Sequence, residues 1–156
     1  MYKFYFSVAL IFCLTFAPNG IYLDRLAEEL SATEYFFYIS GECESGGDIR
    51  TVKNGEDDIV LCPPHLANSA RNKIKGIIKG ESFRFAGDIN SVKDIVNRLN
   101  AKVVRTSFID GIYIVYLYSG AIRATPLTLY GERVNVQIAL SQKVVSVGVP
   151  LILGGY

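Results

Sequence analysis

Three apolar runs fill the last third of the chain, and they limit its fold more than any other feature. They span Ile112–Tyr118, residues 134–140 and residues 144–153, with turn residues between them. All three are rich in Val, Ile, Leu and Tyr, side chains that suit a pleated, half-buried surface. The sequence therefore predicts three strands in succession, joined by turns.

The middle run alternates along its length. Aliphatic side chains occupy every second position, and the amides Asn135 and Gln137 stand between them. Successive side chains of a strand point to opposite faces of the sheet. We therefore expect the aliphatic face to meet the core. The face with Asn135 and Gln137 is expected to meet water or a partner, which makes these residues the candidate interaction face.

The first half of the chain predicts both helices and strands. Helical spacing of leucines predicts an amphipathic helix over residues 23–32, and an aromatic run predicts a strand over Glu34–Cys43. Residues 44–58 are rich in Gly and acidic side chains, which predicts turns and a solvated loop. The apolar run 59–61 is expected to return and pair with the aromatic strand. Residues 66–79 predict the clearest helix, with a basic face of arginine and lysine at four-residue steps.

Further patterns lead into the last third. A strand is predicted over residues 82–86, followed by a helix in which Ser91 and Asp94 match a capping box. An Asp-Gly pair predicts a hairpin turn between residues 103–109 and Ile112–Tyr118. The fold class expected from these elements is α+β, an antiparallel sheet with helices packed on one face.

The size and charge of the chain set further limits. With 156 residues, it is the length of one ordinary domain with a core of its own. It carries 16 basic and 15 acidic residues, a formal net charge of +1. Affinity for nucleic acid comes mainly from concentrated lysine and arginine that neutralise phosphates, so no nucleic-acid partner is expected from composition.

The N-terminus predicts export. Residues 4–17 are almost entirely apolar, and such a run suits a signal peptide but is shorter than the roughly 20 residues of a transmembrane helix. We expect residues 1–20 to be a signal peptide or signal anchor and residues 21–156 to form a single α+β domain. The expected location is extracytoplasmic, with membrane contact only through the N-terminal segment if it stays uncleaved.

Few residues in the sequence suggest chemistry. The only histidine is His65, and the segment from Cys62 to His65 has the spacing of half a zinc site. A structural zinc needs four ligands, and the sequence offers no second pair. We predict no catalytic residue, no metal site and no cofactor.

Two cysteines, Cys43 and Cys62, remain if the N-terminal segment is removed. Export would place them where disulfides persist, and a bridge between them would stabilise the fold by about 3 kcal/mol. Whether they pair or stay as two buried thiols depends on the strand register, so both states remain open at this point.

The tail carries a resemblance to a known family. The stretches NVQIAL at 135–140 and GVPLI at 148–152, with the terminal Tyr156, resemble the C-terminal signature of the YwmB family. That family comprises exported, uncharacterised proteins of Firmicutes with a TATA-box-binding-protein-like fold. The resemblance implies that fold, with a strand, a helix and four strands from Ser82 onward. It implies no activity, because one fold hosts many functions.

The expected function is a noncatalytic binding module at the cell envelope, with an unknown partner there. Two alternatives stay open. One is a nucleic-acid-binding module of TATA-box-binding-protein-like fold, and the other is a small envelope enzyme.

Overall fold

An eight-stranded antiparallel sheet is the frame of the protein, and α-helices cover one of its faces. The computed structural model describes residues 22–153. The predicted N-terminal export segment lies outside the described residues. In chain order the elements are α1 (Leu23–Glu29), β1 (Glu34–Cys43), β2 (Arg50–Asn54), β3 (Asp57–Cys62), a 3-10 turn (Pro64–Leu66), α2 (Ala67–Lys73), β4 (Ile74–Ala86), α3 (Ile89–Arg98), β5 (Lys102–Ile109), β6 (Ile112–Tyr118), β7 (Leu127–Leu129), β8 (Glu132–Val134), β9 (Val136–Ser141) and β10 (Val144–Val149).

The strand order joins the two halves of the chain at β4. Across the sheet the order is β2-β3-β1-β4-β10-β9-β6-β5, and β7 and β8 form a separate two-stranded hairpin. Every pair in the large sheet is antiparallel. The α+β class with a large antiparallel sheet is therefore confirmed.

The helix-bearing face of the sheet carries the core. One row of side chains crosses five neighbouring strands in register: Tyr35, Phe83, Val147, Ile138 and Val115. All five are buried, in one cluster with the apolar sides of α1, α2 and α3. Alternate residues of a strand share a face, so the remaining core side chains continue this layer.

The opposite face of the sheet is partly covered by the segment that follows β10. The amide of Ile152 donates a hydrogen bond of 2.8 Å to the Gln137 side-chain oxygen. A side chain at Gly80 would meet Leu153, and one at Gly148 would meet Ile152. The two glycines therefore leave room for this segment to lie close on the sheet.

The pairing of β1 with β4 is the longest in the sheet, and it contains a close backbone crossing. Gly41 lies opposite Gly76, with φ of +141° and +147° respectively. A Cβ on Gly41 would overlap the Lys75 carbonyl oxygen and come within 2.9 Å of the Gly76 Cα. Only glycine fits both the backbone angle and the space at this crossing.

Many of the predicted elements are confirmed. The aromatic strand has the predicted bounds, Glu34–Cys43, and so does Ile112–Tyr118. Residues 59–61 fall in β3, which pairs with β1 as predicted. The Asp-Gly turn is confirmed, with φ of +51° at Asp110 and +81° at Gly111.

The helix predicted over residues 66–79 is wrong beyond Lys73. From Ile74 the chain is strand β4, which runs on through the predicted strand 82–86. Three isoleucines at helical spacing also suit a strand, and pairing with β1 decides between the two. The expected basic helix face does not form, because Lys75 and Lys79 lie on β4. There Lys75 pairs with Glu44 and Lys79 with Asp57.

Two smaller predictions are also corrected. The loop expected over residues 44–58 contains all of β2. Its side chains are largely exposed, but its backbone hydrogen-bonds to β3, and this pairing makes it a strand. The N-cap of α3 is Asp88, whose side-chain oxygen accepts bonds from the Asn90 and Ser91 amides at 2.9 and 3.1 Å. Ser91 instead occupies the third helical position and accepts from the Asp88 amide at 3.2 Å.

The last apolar runs are shorter than predicted. The run 134–140 is divided, because Asn135 lies between β8 and β9. The final strand ends at Val149 instead of continuing to residue 153, since Pro150 has no amide hydrogen for the ladder.

The glycine crossing yields a stability prediction. Gly41→Ala should lower the free energy of unfolding by about 2 kcal/mol or more, because the new methyl group meets backbone atoms at an unfavourable φ. Gly120→Ala is the matched control, since nothing lies within 4 Å of its added Cβ. Urea unfolding measures both variants. Equal stability of the two would contradict the close crossing.

Candidate interaction site

Strand β5 ends the sheet and exposes apolar side chains. Among the described residues it pairs only with β6. Phe108 is 73% exposed, Ile109 54% and Val103 46%. An edge strand presents a row of unpaired amide and carbonyl groups that can pair with another chain. Apolar side chains on such an edge mark it as a candidate binding surface.

A groove lies beside β5 on the helix-bearing face. Helix α3 packs against β9, which leaves a gap between the helix and the outer strands. This groove has a volume of about 360 Å³. Its lining is mainly apolar, and it comprises Ile89, Val92, Lys93, Val96 and Asn97 of α3, Val103 and Thr106 of β5, and Tyr113 and Val115 of β6. We call it the edge groove.

The other face of β5 is already occupied by the hairpin of β7 and β8. The Arg105 guanidinium lies 4.0 Å from the centre of the Tyr130 ring, and the Tyr130 and Tyr116 rings meet edge to face. The Lys102 ammonium lies 3.2 Å from a Glu132 carboxylate oxygen. Both cations of β5 therefore have partners within the chain, and the open side of β5 is the side with the edge groove.

A β-bulge limits the regular part of this edge. Val103 faces Leu117, but the next paired residue is Arg105, which faces Tyr116. Val104 is the extra residue of the bulge, and a bulge twists an edge strand away from simple pairing. The regular stretch open to a partner strand is thus Arg105 to Ile109.

The structure places Asn135 and Gln137 inside the fold, at 2% and 4% exposure. Asn135 accepts from the Ser119 amide at 2.9 Å and donates to the Ser119 carbonyl at 2.8 Å, so its side chain joins the junction of β8 and β9 to the residue that follows β6. Gln137 holds the segment after β10. Burial therefore corrects the expectation that these amides form an interaction face.

A charged cluster joins α1 and α2 to the sheet. Arg71 lies 3.2 Å from an Asp24 oxygen and 2.9 Å from a Glu81 oxygen. The same Glu81 oxygen accepts the hydroxyl hydrogen of Tyr35. The cluster borders a second cavity, of about 450 Å³, which also contains Arg123. Its charged groups pair with one another, so the cluster acts as a clamp between helices and sheet.

The environment of this cluster shifts two ionisation equilibria. Burial and the neighbouring Glu81 carboxylate raise the pKa of Tyr35, so the phenol stays protonated and donates its hydrogen bond. Burial alone would lower the pKa of Arg71, but the hydrogen bonds and charge of its acidic partners outweigh it and raise the pKa. Arg71 therefore stays charged at neutral pH.

The sulfur and imidazole groups lie apart from the edge groove. Cys43 and Cys62 are free thiols, the first half-buried and the second buried. Burial, with a smaller contribution from Cys43, raises the pKa of Cys62 to about 11. His65 is exposed in the 3-10 turn. Residues 22–153 contain no group of three or more His, Cys, Asp or Glu placed to hold a metal ion.

Helices long and apolar enough to cross a membrane are not found among residues 22–153. Comparisons with family models, curated proteins and solved structures found no match.

Sequence reasoning missed the edge groove, although two signals pointed toward it. Val103, Phe108 and Ile109 stand in a strand that also carries two cations, a mixture typical of an exposed edge. The amphipathic pattern of α3 also leaves Ile89 and Val96 beside its buried stripe. Strand order decides which strand is the edge, and it follows from long-range pairing that the local pattern does not contain.

The Tyr35 environment predicts how stability depends on pH. Its pKa is raised in the folded state and close to 10 in the unfolded chain, so its contribution is complete below pH 10. Above pH 10 the unfolded chain ionises and the folded phenol does not. Stability therefore falls, by up to about 1.4 kcal/mol per pH unit from this group.

Urea unfolding between pH 8 and pH 11 checks this on Tyr35→Phe. At pH 8 the variant should be less stable by about 1 kcal/mol, since Glu81 loses a hydrogen bond, and its alkaline slope should be shallower. The Cys62 thiol ionises in both proteins, so its effect on the alkaline slope is the same in each and does not contribute to the difference between them. Equal alkaline slopes would contradict the buried, neutral phenol.

Proposed function

We propose that the chain is a noncatalytic binding module of the cell envelope. In this proposal it receives an extended apolar segment of a partner chain along β5 and in the edge groove. One observation carries the proposal: among residues 22–153 the outer edge of β5 has no partner strand, and an open apolar groove lies directly beside it. This pairing of features serves recognition of an extended chain better than chemistry on a small substrate.

The physical basis is strand addition. A partner segment that pairs with Arg105 to Ile109 gains main-chain hydrogen bonds, and its alternate side chains face the groove. Burying one large apolar side chain contributes about 1.5–3 kcal/mol. Main-chain pairing supplies sequence-independent affinity, and the groove lined by Val96, Val103 and Thr106 selects apolar residues at one position of the segment.

The envelope location rests on the apolar run 4–17, which suits an export signal. The TATA-box-binding-protein-like fold and the likeness to the YwmB family belong to the same proposal. The order β4, α3, β5, β6, β9 and β10 supports them, because it gives a strand, a helix and four strands of one sheet. The hairpin of β7 and β8 is then an insertion before the last two strands.

The nucleic-acid alternative has less support from the geometry. Binding on the helix-free face would require basic residues there and apolar side chains free to enter a base step. On that face Arg84 stacks 4.8 Å from the Phe36 ring centre, and residues 151–153 lie against the strip with Gly80 and Gly148. The two cations of β5, Lys102 and Arg105, also have partners within the chain.

A photo-crosslinking amino acid at position 106 tests the proposal in intact cells that make the full-length chain. Thr106 lines the edge groove, so the probe should give a protein adduct in the envelope fraction. The matched control carries the probe at Val52, which is 52% exposed on β2 at the other sheet edge, and should give little or no adduct.

Three outcomes would contradict the proposal: no adduct at position 106, equal adducts at both positions, or an adduct with nucleic acid. Recovery of the chain in the cytosol alone would contradict the envelope location. The crosslinking result at position 106 would then still decide whether the edge groove binds a protein.

A further inference from the structure

We infer that the segment received by the edge groove is strand β5 of a second copy of the chain. The inference rests on the proposed function and names its partner. The two strands pair antiparallel around a two-fold axis at Ser107, so that Phe108 of each copy enters the edge groove of the other. Strand β5 thus supplies both the occupant, Phe108, and part of the lining of the groove that receives it.

Phe108 is the side chain that needs a partner. It is 73% exposed, and it lies opposite Tyr113 on β6, while Thr106 lies opposite Val115. Tyr113 and Val115 both line the edge groove. Phe108 and Thr106 therefore point to the helix-bearing face, and Phe108 stands just past the end of the groove of its own chain.

Two-fold pairing at Ser107 brings Phe108 to the groove of the partner. Around this axis, each residue before Ser107 in one copy faces the residue equally far after Ser107 in the other copy. Phe108 therefore faces the partner's Thr106. Directly opposed side chains of an antiparallel pair have Cβ atoms about 4.5–5.5 Å apart. The partner's Thr106 lines the partner's groove, so the Phe108 ring is placed at its opening.

The bulge selects this alignment. The regular edge runs from Arg105 to Ile109, and its central residue is Ser107, so pairing there uses the whole regular stretch. An alignment centred two residues earlier brings Val103 and the bulge into the ladder. A slip of one residue would set the groove face of one strand against the outer face of the other.

Charge is also compatible with the alignment. Arg105 faces the partner's Ile109, and the two arginines lie four residues apart along the strands, about 13 Å. Each Arg105 guanidinium is already held over Tyr130. Like charges therefore stay apart in this alignment.

Disulfide trapping tests the inference on the full-length chain, with Cys13 and Cys43 replaced by serine and the buried Cys62 kept. Ser107→Cys should give a disulfide-linked species of twice the chain mass after mild oxidation, because the two Cα atoms lie within the usual range. Thr106→Cys is the matched control. Its Cα atoms lie about 8 Å apart, beyond disulfide reach, so it should stay monomeric on a denaturing gel.

Sedimentation of the full-length chain in mild detergent gives a second readout. Phe108→Ser should weaken self-association at least about tenfold, since it removes the ring that fills the groove. Arg50→Ser, on the other edge strand, should leave self-association unchanged. Both substitutions are at exposed positions, so loss of the fold is not expected.

A monomer at all concentrations, with no trapping through Ser107→Cys, would overturn the inference. Trapping through Thr106→Cys instead would overturn the alignment. The photo-crosslinking probe at position 106 distinguishes failure of the self-association inference from failure of the proposed function. An adduct with a different envelope protein keeps the binding site and removes the second copy, whereas no adduct at all removes both.

Discussion

The pairing of β1 with β4 is the constraint on which the rest of the structure depends. These two strands hold ten register pairs, and β4 also pairs with β10. Through β4 the hairpins of the first half and the strands of the last third become one sheet with one core. The crossing of Gly41 and Gly76 allows the long ribbon to continue where side chains would collide.

The same pairing places the charged clamp. Helix α2 ends at Lys73 and β4 begins at Ile74, so the chain turns at once from helix to strand. Arg71 is thereby held against Glu81 on β4 and Asp24 on α1. Arg71 is half-buried, and its two carboxylate partners compensate for the water that its charge loses. The cluster therefore fixes α1 and α2 to β1 and β4 of the sheet.

The edge groove follows from where α3 lies. Asp88 caps the helix, and Val92 and Ile95 bury its stripe in the core. Because the helix packs toward β9, the outer strands β5 and β6 are left partly uncovered. The position of α3 opens the groove, and the strand order of residues 22–153 leaves β5 without a second partner strand beside it. Together these features support a binding role more directly than any titratable cluster does.

The sequence predicts local structure well where pattern and turn residues agree. The aromatic run of β1 and the Asp-Gly turn before β6 are of this kind. It fails where two structures suit the same residues: the isoleucines of β4 match a helix, and only pairing with β1 makes them a strand. Asn135 and Gln137 look exposed because amides usually are, yet internal hydrogen bonds bury both. The edge groove depends on strand order, which no local pattern contains.

Amide hydrogen exchange on the full-length chain tests the central claim most directly, because it observes the backbone of β5 without any substitution. If β5 pairs with a second copy, the outward-facing amides between Arg105 and Ile109 should exchange more slowly as protein concentration rises. The amides of the other edge strand, β2, should show no such change. Fast exchange in both edge strands at every concentration would contradict pairing at β5.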